Sequence, residues 1–398
     1  MGRLRSLLGE ARKLLPEAVA LRRRIHASPE LGLELPQTQR AVQEFLDGLG
    51  LEIATGGRTS AVVATLRGSR PGPTVLLRAD MDALPLQEET RLDFASRHAG
   101  AMHACGHDAH VAMLAGAARL LAARRHELAG SVKLVFQPGE EGHGGMRILL
   151  DEGLLGAGPR PAAAFAIHVD PILAAGCVAT RAGPLLASAD VFSIELAGRG
   201  GHASMPHHAR DPIPVACELV LALQSLVTRR IDPFDPVVLT VARIDAGTTD
   251  NVIPASARLL GTIRSVSEAA RRTVHEGVRR VAAGVAAAHE VEARVHLLEG
   301  YPVTLNDEGF VGFARRVTGE LLGPERWIEM RAPIMGAEDF SYLLQQVPGA
   351  MVFLGVRPAD HRPEPLHSNR MVLDEDALGV GIALHAAMAM RWLAEAAV

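Results

Sequence analysis

The chain has 398 residues, 48% of them hydrophobic and 22% charged, with a formal net charge of −4. That length exceeds what one core organises, so two domains are expected, and the balance is that of a folded globular protein. The small charge excludes an electrostatic case for nucleic acid or an anionic membrane, and three scattered cysteines, Cys105, Cys177 and Cys217, exclude a disulfide framework.

In chain order, residues 15–26 and 36–49 read as amphipathic helices, the second opening at Pro36. Short strands follow at 50–54, 61–67 and 73–79, the last running into Asp80-Met-Asp82. Asp108 is placed to cap a buried helix over 109–126. Then come a strand at 131–137, a short helix at 143–152 and a strand at 162–169 ending near His168. This alternation argues an α/β domain with a largely parallel sheet, in which ligands collect where strands end.

From about 184 the pattern becomes strand 189–197, helix 212–230, strands 236–245 and 256–264, helix 267–289 and strand 291–298. That β-α-β-β-α-β order is ferredoxin-like. Helix 307–322, strand 350–355 and a final helix from about 375 resume the α/β pattern. The expected organisation is therefore a catalytic domain, 1–183 and 299–398, interrupted by a smaller domain over 184–298. The N-terminus lacks a signal-peptide pattern, and no uncharged apolar run approaches the roughly 20 residues of a membrane span. A cytoplasmic location is expected.

Two segments carry the chemistry. Met102-His-Ala-Cys-Gly-His-Asp-Ala-His110 packs three histidines, a thiol and a carboxyl together, and Gln137-Pro-Gly-Glu-Glu-Gly142 sets two carboxylates after an apolar strand. Cys105 and His107, two apart, face one side of an extended segment. With Glu140 and Glu141 they supply ligands for a Zn-like or Mn-like ion and a spare carboxylate to move a proton. Burying so many ionisable groups without a metal would be costly. His168 and His367 are further candidates. His103 and His110 read either as structural or as orienting a ligand. The isolated histidines at 26, 126, 275, 289, 296 and 385 read as structural. A cysteine nucleophile at 105, activated by His107 or His103, is an alternative, but it leaves the paired glutamates unexplained.

The sequence resembles the aminoacylase/carboxypeptidase family of dinuclear metallopeptidases, in its N-acyl-amino-acid amidohydrolase branch, which includes hippurate and auxin-conjugate hydrolases. The resemblance spans nearly the whole chain. It rests on Arg78-Ala-Asp-Met-Asp-Ala-Leu-Pro85, Met102-His-Ala-Cys-Gly-His-Asp108, Phe136-Gln-Pro-Gly-Glu-Glu141 and Gly201-His-Ala-Ser-Met-Pro206. It rests also on Asp250-Asn-Val-Ile-Pro254, Met335-Gly-Ala-Glu-Asp-Phe340 and Leu366-His367.

The resemblance implies a mixed-sheet, zinc-peptidase-like catalytic domain with an inserted ferredoxin-like lid and dimerisation domain, assembled as a homodimer or homotetramer. It implies two divalent ions, Mn or Zn with Co or Ni as alternatives, held by Cys105, His107, Glu141, His168 and His367, with Cys105 as the first choice for a bridge. Glu140 becomes the general base, His202 and Asn251 stabilise the oxyanion, and Arg264 holds the substrate carboxylate. Where many members have a metal-binding histidine this chain has Asp80, which places Asp80 and Asp82 behind the ligands. The implied reaction is amide hydrolysis of an N-acyl-L-amino acid. A dipeptidase or carboxypeptidase with the same centre, or a non-catalytic binding homologue, are the rival readings.

Overall fold

A computed structural model describes residues 2–359 and 362–396. Its contacts divide the chain into a larger unit, 1–183, 305–331 and 342–398, and a smaller one, 184–304 and 332–341. Residues 299–304 and 332–341 thus group with the smaller unit, whereas the sequence pattern had assigned them to the larger. The reason lies in the backbone: Ala187 N–H donates to the carbonyls of Ile334 and Gly336, and Leu186 bridges Ile334.

The larger unit is built on an eight-stranded mixed sheet. Its spatial order is Glu52–Thr55, Val62–Arg67, Ala129–Gln137, Arg70–Asp80, Pro161–Ala174, Gly349–Arg357, Val178–Thr180 and Trp327–Glu329. The four middle strands, Ala129–Gln137 through Gly349–Arg357, run parallel, while the first two strands are antiparallel. The middle strands are buried along most of their length, as the near-continuous apolar runs of doubly covered strands require. Val75, Leu77, Leu134, Phe165 and Val352 meet the buried faces of helices Gly2–His26, His107–Ala123 and Ala377–Ala396 in one core.

Further expectations are corrected, beginning with the first helix, which starts at Gly2 and not at 15. Asp108 does not cap its helix, which begins one residue earlier at His107 behind Gly106; Asp108 instead turns into the core against Arg22 and His26. His168 does not end its strand, which continues to Ala174.

The smaller unit is a four-stranded antiparallel sheet ordered Val237–Ala246, Ser256–Ser265, Asp190–Ala197, Glu292–Glu299. Helices Pro212–Arg230 and Glu268–Ala288 contribute Leu219, Leu223, Val274 and Val278 to its core with Phe192 and Leu259. Asp211 and Ser267 cap these helices by accepting from Ile213 N–H and Ala270 N–H. This is the ferredoxin-like arrangement. By length and composition alone, Pro212–Arg230 and Ala377–Ala396 would suffice to cross a membrane. The apolar window of the second is 72% buried, so the core already accounts for its hydrophobicity.

Candidate metal centre

The carboxyl ends of the parallel strands deliver the chemistry. Asp80 closes one strand, pairs in register with Gln137 at the end of the next, and His168 lies on the third. After Gln137 the chain makes a tight turn. Gly139 has φ +74°, a left-handed value that favours glycine and strains other residues. The turn is pinned by Asp82, whose two carboxylate oxygens accept the N–H groups of Glu140 and Glu141 at 2.9 and 3.0 Å. One aspartate thereby fixes both adjacent glutamates.

Gly106 does the same work for the other segment. Its φ of +80° turns the chain from Cys105 into the helix, and a Cβ would lie 2.4 Å from Val169 Cγ2. Cys105 Sγ then lies 3.4 Å from His168 Nε2. His107 Nδ1–H donates to the Asp82 carbonyl at 2.8 Å, and His168 Nδ1–H to that of Val169 at 2.8 Å. Each imidazole is thus oriented by its Nδ1 and presents its Nε2, the arrangement typical of metal-binding histidines. His367 comes from a loop, with φ +66°, a left-handed value costly for a branched-off side chain. Its N–H donates to the Ala104 carbonyl, and its Nε2 lies 3.3 Å from Glu141 Oε1.

Two trios of ligand atoms, each mutually within 4.8 Å, share one sulfur: Cys105, His107 and His168, and Cys105, Glu141 and His367. Glu140 forms a trio of the same span with His107 and Glu141. The donors suit a divalent cation. His107 Nε2 is buried without a hydrogen-bond partner, an orphan that coordination would satisfy. Burial pushes the Cys105 thiol up, but the imidazoles of His168 and His107 outweigh it and bring its pKa to about 6. Burial alone would depress His168, yet the Cys105 thiolate raises it to about 9. Hydrogen bonding to Cys105 and Glu141 raises His367 to about 10. Once a cation displaces the imidazole protons, a thiolate, a carboxylate and neutral imidazoles are the mixed donor set that a soft-to-borderline divalent ion takes.

Asp80, His107 and His110 form a further trio of the same span, but Asp80 and His110 are already engaged in hydrogen bonds. Asp80 accepts from Arg78 Nη1 at 2.8 Å and from His110 Nδ1, while His110 Nε2 accepts from Val169 N–H at 2.9 Å. With both nitrogens engaged, His110 is a brace under the His168 strand. Burial lowers its pKa to about 4, keeping it neutral. His103 is buried with neither ring nitrogen hydrogen-bonded, and burial likewise lowers it to about 4. Arg78, which also donates to Gln137 Oε1 at 2.9 Å, was not singled out in the sequence although it opens the Asp80–Asp82 motif.

In the smaller unit, His202 and Val252 are paired on a two-stranded ribbon, and Ala203 N–H donates to the Asn251 carbonyl. His202 and Asn251 therefore share one exposed loop cluster, where His202 Nδ1 accepts from Ser204 N–H at 3.1 Å. Arg264 sits apart on the sheet, half-buried, its Nη1 donating to the Ile263 carbonyl.

Residues 76–391 match Peptidase family M20/M25/M40. The chain belongs to this family. It is 38% identical to "Thermostable carboxypeptidase 1" of Saccharolobus solfataricus over 397 residues, covering 98% of this chain and 99% of that protein. It is 40% identical to "IAA-amino acid hydrolase ILR1-like 4" of Arabidopsis thaliana over 382 residues, 95% and 86% of the two chains. A solved structure from Bacillus subtilis, described as a dinuclear metal binding peptidase from the M20 family, superposes with a TM-score of 0.85 at 34% identity, covering 96% of this chain and 99% of that one. As an M20 protein the chain is a hydrolase of amide bonds, in a family with dinuclear metal-binding members.

Proposed function

We propose that this M20 hydrolase cleaves N-acyl-L-amino acids to a carboxylic acid and an amino acid, with Cys105, His107, Glu141, His168 and His367 holding two divalent ions. The observation that carries the reading is the sharing of Cys105 between two ligand trios, with Glu140 adjacent to both through His107 and Glu141 but a member of neither. When bound, Mn or Zn, or Co or Ni on the same donors, would polarise the acyl carbonyl and acidify water.

The chain's own residues do the rest. Glu140 takes the proton of the attacking water and returns it to the leaving amine. Asp82 keeps that carboxylate in place through the backbone, which limits the reorganisation needed in the transition state. Asp80 and Asp82 are not ligands in this reading; they orient His110, Arg78 and the glutamate turn. His202 and Asn251 supply donors to the developing oxyanion, and Arg264 pairs with the substrate carboxylate through its guanidinium fork. The smaller unit serves as the contact surface of a homodimer or homotetramer.

The likeness to a carboxypeptidase favours a second reading, peptide-bond hydrolysis by the same centre. Hippurate, N-acetyl amino acids and dipeptides, assayed with each metal in turn, separate the two. Turnover confined to N-acyl substrates supports the proposal, and turnover confined to peptides contradicts it. Glu140→Gln should fold, bind metal and lose about 10²–10⁴-fold in kcat. Wild-type turnover in that variant would refute the base assignment.

A further inference from the structure

Two of the ligand-bearing segments of the larger unit, Cys105–His107 and the His367 loop, are each followed by a buried or half-buried carboxylate, and one guanidinium reaches both carboxylates. Asp108 follows His107 directly, and its Oδ2 accepts from Arg22 Nε at 3.0 Å. Glu375 follows the His367 loop, and its Oε1 accepts from Arg22 Nη1 at 2.7 Å. Arg22 is 2% exposed, so this is a charge placed in the core and fully paired there.

The surroundings fix the guanidinium further. Phe94 lies under it, with the ring centroid 5.2 Å from Cζ. Asp108 Oδ2 also receives His26 Nδ1–H at 2.8 Å, and the other face of His26 meets Glu88 at 3.2 Å. Near the centre, the loops touch through His367 N–H to Ala104 and through a small apolar cluster of Met102, Ala104 and Met371. Away from it, Arg22 joins Asp108 to Glu375, while Arg23 holds Glu375 from the same helix and Asp374 N–H donates to the Val356 carbonyl. A planar fork with two donors aimed at different carboxylates sets a distance, which a single ammonium or amide does not.

We propose that Arg22 is a positioning residue for the metal centre, setting the His367 loop against the Cys105–His107 segment so that Cys105, Glu141 and His367 close on one ion. This rests on the ligand assignment proposed above. The two trios depend on Arg22 unequally. Cys105, His107 and His168 are buried, and the two imidazoles are braced by backbone carbonyls, whereas His367 is half-exposed on a loop. Loss of Arg22 should therefore loosen the outer trio and spare the inner one.

The test is a Co(II) titration of the full-length protein, following the sulfur-to-cobalt charge-transfer band together with bound stoichiometry. Wild type should take two equivalents. Arg22→Gln should bind the first as wild type does and the second about 10–100-fold more weakly, the usual cost of removing a group that orients metal ligands. At saturating metal its kcat should recover while KM stays near the wild-type value. Glu375→Gln removes the half-buried arm together with the Arg23–Glu375 pair, and should reproduce the second-equivalent defect if Arg22→Gln fails to fold; Arg23→Gln, which loses that exposed pair and leaves the Arg22 arm, should titrate as wild type. Arg24→Gln, which loses only an exposed pair with Glu44, should titrate as wild type. Two equivalents of unchanged affinity in Arg22→Gln or Glu375→Gln would overturn the role of Arg22, as would equal weakening of both. Fewer than two equivalents in wild type would instead refute the ligand assignment itself.

Discussion

The two trios that share Cys105 are built on different principles. The inner one takes His107 from the first turn of a buried helix and His168 from a central strand, each imidazole locked by a backbone carbonyl. The outer one takes Glu141 from a glycine turn and His367 from a loop residue in left-handed geometry, with a side chain 55% exposed. Rigid elements make the first half an invariant platform. Loops, held by Asp82 and by a few cross-links, make the second half adjustable and accessible to exchange.

The largest effect belongs to the shared residue. Cys105→Ser should lose both equivalents of metal and all measurable turnover; retention of either equivalent would show that the trios are independent. His367→Ala should lose one equivalent and keep the other, whereas His107→Ala should lose both, because its ring also borders Glu140 and Glu141. Equal losses in the two variants would erase the distinction between inner and outer halves. Asp82→Asn keeps one acceptor oxygen but presents an amide to the other N–H, so the glutamate turn should slip. Metal affinity should fall about 10–100-fold, with a smaller change in melting temperature. An unchanged affinity would mean the turn is held by its glycines alone.

The remaining effect is on folding rather than on metal or turnover, as stability against pH. Burial lowers the pKa of His26, but the charge of Asp108 overrides it and raises the value to about 9 from 6.5. A raised imidazole pKa means the folded state binds the proton more tightly than the unfolded chain does. The stabilisation is fully present below about pH 6.5, and is lost as pH rises through about 9, an effect on the order of 3 kcal/mol. Denaturant unfolding of wild type and His26→Gln across that range should converge at high pH. A constant difference between them would show that His26 contributes packing rather than charge.

The same contrast explains what could be read from sequence. Helix and strand periods, with Pro36 and the turn glycines, set most of the main elements within a few residues, although the first helix begins at Gly2 rather than at 15, and the ferredoxin-like order was visible in the alternation after residue 184. Short strands such as Val178–Thr180 and Trp327–Glu329 have too few residues to show a period. In the site, Cys105, His107, Glu140 and Glu141 were legible because no core or solvated surface uses such a run. Whether His110 is structural or orients a ligand could not be read from sequence, since only the fold shows Asp80 and the Val169 N–H on its two nitrogens. Asp108 has the residue type and position of a cap, yet Arg22, 86 residues earlier, draws it inward. Local rules fail there because a long-range ion pair outweighs a cap worth about 1 kcal/mol.

Crystals grown with Mn(II) or Zn(II) and measured at the metal absorption edge test the central claim most directly. Two anomalous peaks about 3.5–4 Å apart, both within bonding distance of the Cys105 sulfur, are the expected result. A single peak, or two peaks of which only one touches that sulfur, would contradict it.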